Sequence, residues 1–182
     1  MKNFEVTDKN TGKKYWISRS IATMCVVVGK DSKTKEIKVL AERRGPGCPD
    51  NIGKLVVPCG YLDFDETLKE AAVREIYEET GLKLSVDDLT MTGINDAVSE
   101  NRQNVTIRFM AVVPLIDLKV MMETNQINSN TKSRGGEEGE VSEVLLMTPE
   151  EIDKTTPDDW AFSHKRIINE VINMISEDDD AQ

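Results

Sequence analysis

Residues Gly60 to Leu82 read GYLDFDETLKEAAVREIYEETGL, and this stretch decides what the chain folds into. Thr67 with Glu70 three residues on makes a capping box, Asp65 is a second candidate cap, and Gly81 supplies a stop, so a helix is expected over Glu66 to Thr80. Laid out at roughly 100° per residue, Leu68, Ala72 and Ile76 fall on one side, which should face a core. Glu75 and Glu79 lie within about 20° of Leu68 on the same wheel, inside the apolar stripe, and Glu78 sits on its flank. Carboxylates so placed lose hydration and repel one another unless something neutralises them. A bound divalent cation would do so. Oxygen-only ligands of this density suit magnesium or manganese, which share their remaining coordination with water and substrate phosphates. The simpler alternative is that Glu70 to Glu79 form the solvated face of an acidic surface helix, although that would set the charges opposite the stripe. Arg74 lies i+4 from Glu70 and i−4 from Glu78, placed to hold those acids or to contact a phosphate.

Outward from this helix the pattern is mixed. Upstream, Phe4 to Ser18 holds two short extended stretches around the turn-formers Asp8 to Gly12, a hairpin preceding the main body. Ile21 to Val28 and Glu36 to Ala41 are rich in β-branched residues and predict buried strands. Arg43 to Lys54 is a loop by its glycines and prolines, and Leu55 to Val57 a short strand stopped by Pro58. Downstream, Leu82 to Leu84, Thr90 to Ile94, Val105 to Val113 and Val141 to Met147 have strand character, whereas the polar stretch Met122 to Gly136 reads as a loop. Thr148-Pro-Glu-Glu opens a helical turn, Ala161 to Ile175 has helical spacing, and Glu177 to Asp180 is an acidic run. The interleaving predicts an α/β fold, a mixed sheet between helices. The expected division is a hairpin extension over 1–18, one domain over 19–176 and an acidic tail over 177–182.

The chain has 182 residues, a formal net charge of −10 and a sequence pI near 4.7. Such a surface repels nucleic-acid backbones and anionic membranes, and its bases come only two or three at a time, so neither is an expected partner. Cys25, Cys48 and Cys59 are odd in number and lack zinc-type spacing, which favours a reduced interior. With a polar start at Met1 to Asn10 and no long apolar run, the expected location is cytoplasmic.

Gly60, Glu66, Arg74-Glu75, Ile76, Glu78-Glu79, Gly81 and Leu82 resemble the Nudix box at every defined position. At ordinary residue frequencies, seven fixed residues in that register arise by chance in well under about one chain in a million. The resemblance implies a Nudix-like α/β/α sandwich and a magnesium- or manganese-dependent hydrolase that splits a diphosphate linkage in a nucleoside diphosphate derivative. It implies Glu75, Glu78 and Glu79 as metal ligands with catalytic roles, Arg74 as their organiser, and the main-chain carbonyl of Cys59 as a further ligand. Many members carry a glycine where Cys59 stands. Gly135 to Val144 resembles the acidic segment that supplies an extra ligand or general base in some members, with Glu138 and Glu140 ahead of Glu137. Ala161 to His164 resembles a phrase at the final helix of ADP-ribose-type members. Arg43, Trp16 and Phe162 are candidate substrate contacts, with Trp16 and Trp160 either stacking on a base or simply packing. The lone His164 reads first as a structural residue. ADP-ribose, nucleotide sugars and nucleoside triphosphates all fit as small-molecule substrates. A Nudix-fold ligand sensor without catalysis is the alternative, a diphosphate isomerase a weaker one, and the hairpin is a candidate homodimer element.

Overall fold

The computed structural model describes residues 2–99, 101, 103–125 and 135–180. Asp8 accepts hydrogen bonds from the backbone N–H groups of Asn10 and Thr11 at 2.7 and 2.9 Å, closing the turn between β1 (Phe4–Thr7) and β2 (Lys14–Ile17). The expected hairpin therefore forms, as an antiparallel sheet of its own with Phe4 opposite Ile17.

The body is built on a second sheet of β3 (Ser20–Lys30), β4 (Ile37–Arg44), β5 (Leu55–Val56), β6 (Cys59–Tyr61), β7 (Thr90–Asn95), β8 (Asn104–Pro114) and β9 (Val141–Met147). Its path runs β5-β4-β3-β8-β7, with β6 on β3 and β9 on β4. β3 and β8 pair in parallel from Ser20 opposite Asn104 to Lys30 opposite Pro114, and the other pairings are antiparallel, so the sheet is mixed. Successive strand residues point to opposite faces. Met24, Val26 and Val28 of β3 and Val39 and Ala41 of β4 accordingly pack on one face, while Cys25, Val27 and Leu40 pack on the other. The first face is covered by α3 (Pro149–Lys154) and α4 (His164–Asp180), through Ile152, Ile168, Val171 and Ile175. The second is covered by α1 (Leu68–Thr80) and α2 (Leu115–Asn125), through Ala72, Ile76, Leu118 and Met121. The result is the expected α/β/α sandwich.

Four expectations need correction. Leu82 to Leu84 is not a strand: the chain there is irregular, and Leu82 and Leu84 serve the apolar core beneath α1 without a ladder partner. After Pro58 an unexpected strand, β6, pairs Cys59 to Tyr61 with Ala22 to Met24. Met122 to Asn125 is the end of α2, whose buried Leu115, Leu118 and Met121 recur at helical spacing beside the polar residues that suggested a loop; residues 126–134 of that stretch lie outside the described residues. α4 begins at His164 because Phe162 and Ser163 adopt left-handed φ values of 54° and 63°, and it continues through the acidic run to Asp180. Among the described residues no helix is long and apolar enough to cross a membrane.

Candidate active site

Helix α1 is capped as its sequence predicts: Thr67 Oγ1 accepts from the Glu70 N–H, the Glu70 carboxylate accepts from the Thr67 N–H, and Gly81 closes the end at φ 80°. Because Glu70 is spent on the cap, Arg74 does not pair with it. Arg74 instead donates from Nε and Nη2 to Glu66 at 2.9 and 2.7 Å, and from Nη1 to Glu75 at 2.7 Å and Glu78 at 3.1 Å. Its Nη2 also reaches the Tyr61 carbonyl at 2.9 Å. One guanidinium thus ties the loop before α1 to two glutamates on it, a fork geometry that a lysine lacks. Hydrogen bonding to Arg74 holds the Glu66 carboxyl below its usual range.

Glu75 and Glu79 are buried, at 8% and 2% exposure, which is where the helical wheel put them. Burial pushes the Glu75 carboxyl up to about 7 against the opposing pull of Arg74. Glu79 accepts the Cys59 N–H at 2.9 Å, yet burial, with the charges of Glu42 and Glu75 beside it, drives its carboxyl well above the usual range. Gly60 lies between β3 and this helix. A Cβ there would stand 2.0 Å from Oε1 of Glu75, so any side chain must displace that carboxylate. Gly60→Ala is therefore expected to lower kcat by tenfold or more while shifting Tm little, as steady-state kinetics and thermal unfolding of one preparation would establish.

Glu42 is the residue that sequence reading missed. It is 1% exposed on β4, hydrogen-bonded to Glu79, and its Oε2 has no hydrogen-bond partner. Strand alternation carried the signal, since Glu42 follows Leu40 by two and must share its buried face. Burial raises the Glu42 carboxyl from 4.5 to about 8. The folded chain therefore keeps a proton that the unfolded chain gives up near pH 4.5, and this contribution to stability is complete below that pH and lost as pH rises through about 8. In metal-free protein, Glu42→Gln should remove that loss, raising stability at pH 8 over pH 5 relative to wild type by about 1 kcal/mol or more, the value of one pKa unit. Urea unfolding at the two pH values measures it.

Beside the cluster lies a cavity of about 290 Å³, bordered by Cys59, Gly60, Glu140, Arg44, Phe162 and His164 among others. Cys59, Gly60 and Glu140 are where cavity and carboxylates meet; burial raises the Glu140 carboxyl too. Glu138, by contrast, is exposed and does not border the cavity. Phe162 does, with the Arg44 guanidinium 5.2 Å from its ring centroid. The pairing of β4 with β9 is irregular between Arg43 and Arg44, the last two residues of β4. Arg43 turns away to Glu143 and the Gly53 carbonyl at 3.1 and 2.9 Å, while Arg44 faces the cavity and bonds Asp50. Trp16 is 71% exposed on the hairpin and does not border the cavity, and Trp160 is buried with its Nε1–H on Thr155 Oγ1 at 2.8 Å. Among the described residues no three histidine, cysteine or acidic side chains converge as a ready-made metal cage.

A sandwich with glutamates buried on a capped helix, one arginine organising them and a cavity alongside, defines the class, and comparison with known proteins agrees. The NUDIX domain family model matches residues 18–171, and the chain belongs to that family. It is similar to a MutT-like protein of Streptomyces ambofaciens, 39% identical over 71 residues, which are 39% of this chain and 40% of that protein, so the match spans about two fifths of the relative's length. Among solved structures, the NUDIX domain of Shewanella oneidensis NrtR complexed with ADP ribose superposes with a TM-score of 0.64 at 16% identity, covering 87% of this chain and 90% of that one. A bifunctional NMN adenylyltransferase/ADP ribose pyrophosphatase of Francisella tularensis, complexed with AMP and a Mn ion, gives 0.60 at 16% identity, covering 86% and 42%. At such identities the likeness is one of fold.

Proposed function

We propose that this chain is a Nudix hydrolase that, with Mg²⁺ or Mn²⁺, cleaves the diphosphate linkage of a nucleoside diphosphate derivative of the ADP-ribose type. The carrying observation is the buried acidic set Glu42, Glu75 and Glu79, with Glu78 beside it and Arg74 bonded to both Glu75 and Glu78. So many desolvated carboxyl groups, one with an orphaned oxygen, are stable only if protonated or paired with a cation. An all-oxygen donor set suits a hard divalent ion, so the residues fit the group the family uses.

Glu75, Glu78 and Glu79 would hold the ion, with the Cys59 backbone at the edge of the set. Such an ion offsets charge on the phosphoryl oxygens and lowers the pKa of a bound water. Arg74 sets the angles of Glu75 and Glu78, the Cys59 N–H anchors Glu79, and Glu140, at the cavity's edge, would accept the proton of the attacking water, burial raising its carboxyl and so its strength as a base once ionised. Arg44 offers positive charge and Phe162 a ring face to the nucleoside portion. Two structural relatives, one complexed with ADP ribose and the other with AMP and a Mn ion, support this choice of substrate class.

The test is a panel of ADP-ribose, nucleotide sugars, dinucleotides and nucleoside triphosphates with magnesium or manganese, scored for product beside Glu78→Gln. Divalent-dependent release of a nucleoside monophosphate, absent in the variant, is expected. Tight ADP-ribose binding without turnover would replace the hydrolase with a ligand sensor.

A further inference from the structure

We infer that His164 is a specificity-determining residue, donating a fixed hydrogen bond from Nε2 to an acceptor on the nucleobase held in the cavity beside Phe162. This rests on the nucleotide-hydrolase reading above and assigns the recognition of the base. His164 opens α4, is 3% exposed and borders the cavity. Its Nδ1 accepts the backbone N–H of Val57 at 3.1 Å. A neutral imidazole that accepts at Nδ1 must carry its proton on Nε2, so the tautomer is set by the Val57 N–H.

Nε2 meets no acceptor among the described residues, and the ring that carries it borders the cavity. A buried donor left unpaired costs free energy that a ligand acceptor recovers, and a site built on such a donor discriminates strongly against ligands lacking the acceptor. Burial, helped by the Arg44 charge, holds the imidazole pKa down at about 3, so the group stays a neutral donor throughout the working pH range. The surroundings suit a flat heterocycle. The Phe162 and His164 rings stand 5.6 Å apart at 57°, and Phe162, 42% exposed, presents a face to stack on. The cavity, about 290 Å³, is at the small end of ligand pockets and has room for a base.

The structural and recognition roles of His164 separate by substitution. Asparagine places Oδ1 where Nδ1 accepts from Val57 and removes the donor; glutamine places an N–H near Nε2 and removes the acceptor. The experiment measures Tm and the dissociation constants of AMP, GMP, CMP and UMP for the wild type, His164→Asn and His164→Gln. Expected are a near-wild-type Tm with affinity for the preferred nucleotide lowered about tenfold in His164→Asn, and a lowered Tm with most of that affinity kept in His164→Gln. Deaza or deoxo analogues that remove one base acceptor at a time should include one that weakens wild type tenfold and leaves His164→Asn indifferent. Equal affinity of wild type and His164→Asn for the preferred nucleotide overturns the inference and leaves the hydrolase reading standing. Failure of all four nucleotides to bind wild type overturns both.

Discussion

Glu79→Gln should lose turnover by at least about 100-fold while the protein stays folded. Glutamine keeps an oxygen for the Cys59 N–H and can donate to Glu42, so both neighbours of Glu79 remain paired. What disappears is a negative charge at a fully buried point of the set, 2% exposed. Groups that act only through ligands cost 10–100-fold in metal affinity or activity, so a direct ligand is expected to cost more than that. The metal-free variant should also be slightly more stable than wild type, because one of two adjacent desolvated carboxyl groups becomes neutral. Steady-state kinetics at saturating magnesium and urea unfolding without metal measure the two halves. A variant that turns over normally, or one that fails to fold, would contradict this account of Glu79.

The largest effect on stability is expected from Trp160→Ala. Trp160 is 3% exposed within the core beneath α3 and α4, with Leu55 and Val57 of the segment that leads into the site. Removing a buried indole costs about 3–5 kcal/mol in cavity and transfer free energy. It also leaves Thr155 Oγ1 without the indole N–H, bonded at 2.8 Å. For a chain of this size the loss corresponds to a drop in Tm of roughly 6–20 °C. Thermal unfolding measures it. A shift below a few degrees would mean that Trp160 is not the packing residue described and would reopen its reading as a base-stacking group.

The fold was readable where one periodicity governed. β9 at Val141–Met147 and the capped helix α1 follow their patterns, because a short apolar run after a polar stretch or a box with a glycine stop leaves few alternatives. α2 was not readable: Leu115, Leu118 and Met121 face the core, but the amphipathic pattern is interrupted by Ile116, Val120 and Met122, and the polar residues that follow resemble a loop. β6 is three residues long and exists only because Ala22 to Met24 offers an edge, a tertiary fact that no local pattern states. Within the site, Glu75 and Glu79 were legible from the wheel alone, since two carboxylates inside an apolar stripe require a reason. Glu42 could have been found by the same argument applied to a strand. Arg44 could not, because its place at the cavity depends on segments distant in sequence, Phe162 before α4 above all, closing round it. The i±4 spacing sets Arg74 between Glu70 and Glu78, or on a phosphate; the Glu78 bond forms, but on the other side Arg74 reaches back to Glu66, eight residues away, since the capping box claims Glu70.

The central claim is that the α1 glutamates hold a divalent cation. Titration of the metal-free protein with Mn²⁺, followed by electron paramagnetic resonance, tests it without reference to any substrate. Saturable Mn²⁺ binding to wild type is expected, weakened in Glu78→Gln and Glu79→Gln and displaced by Mg²⁺. Binding that is undiminished in both variants, or absent from wild type, would contradict it.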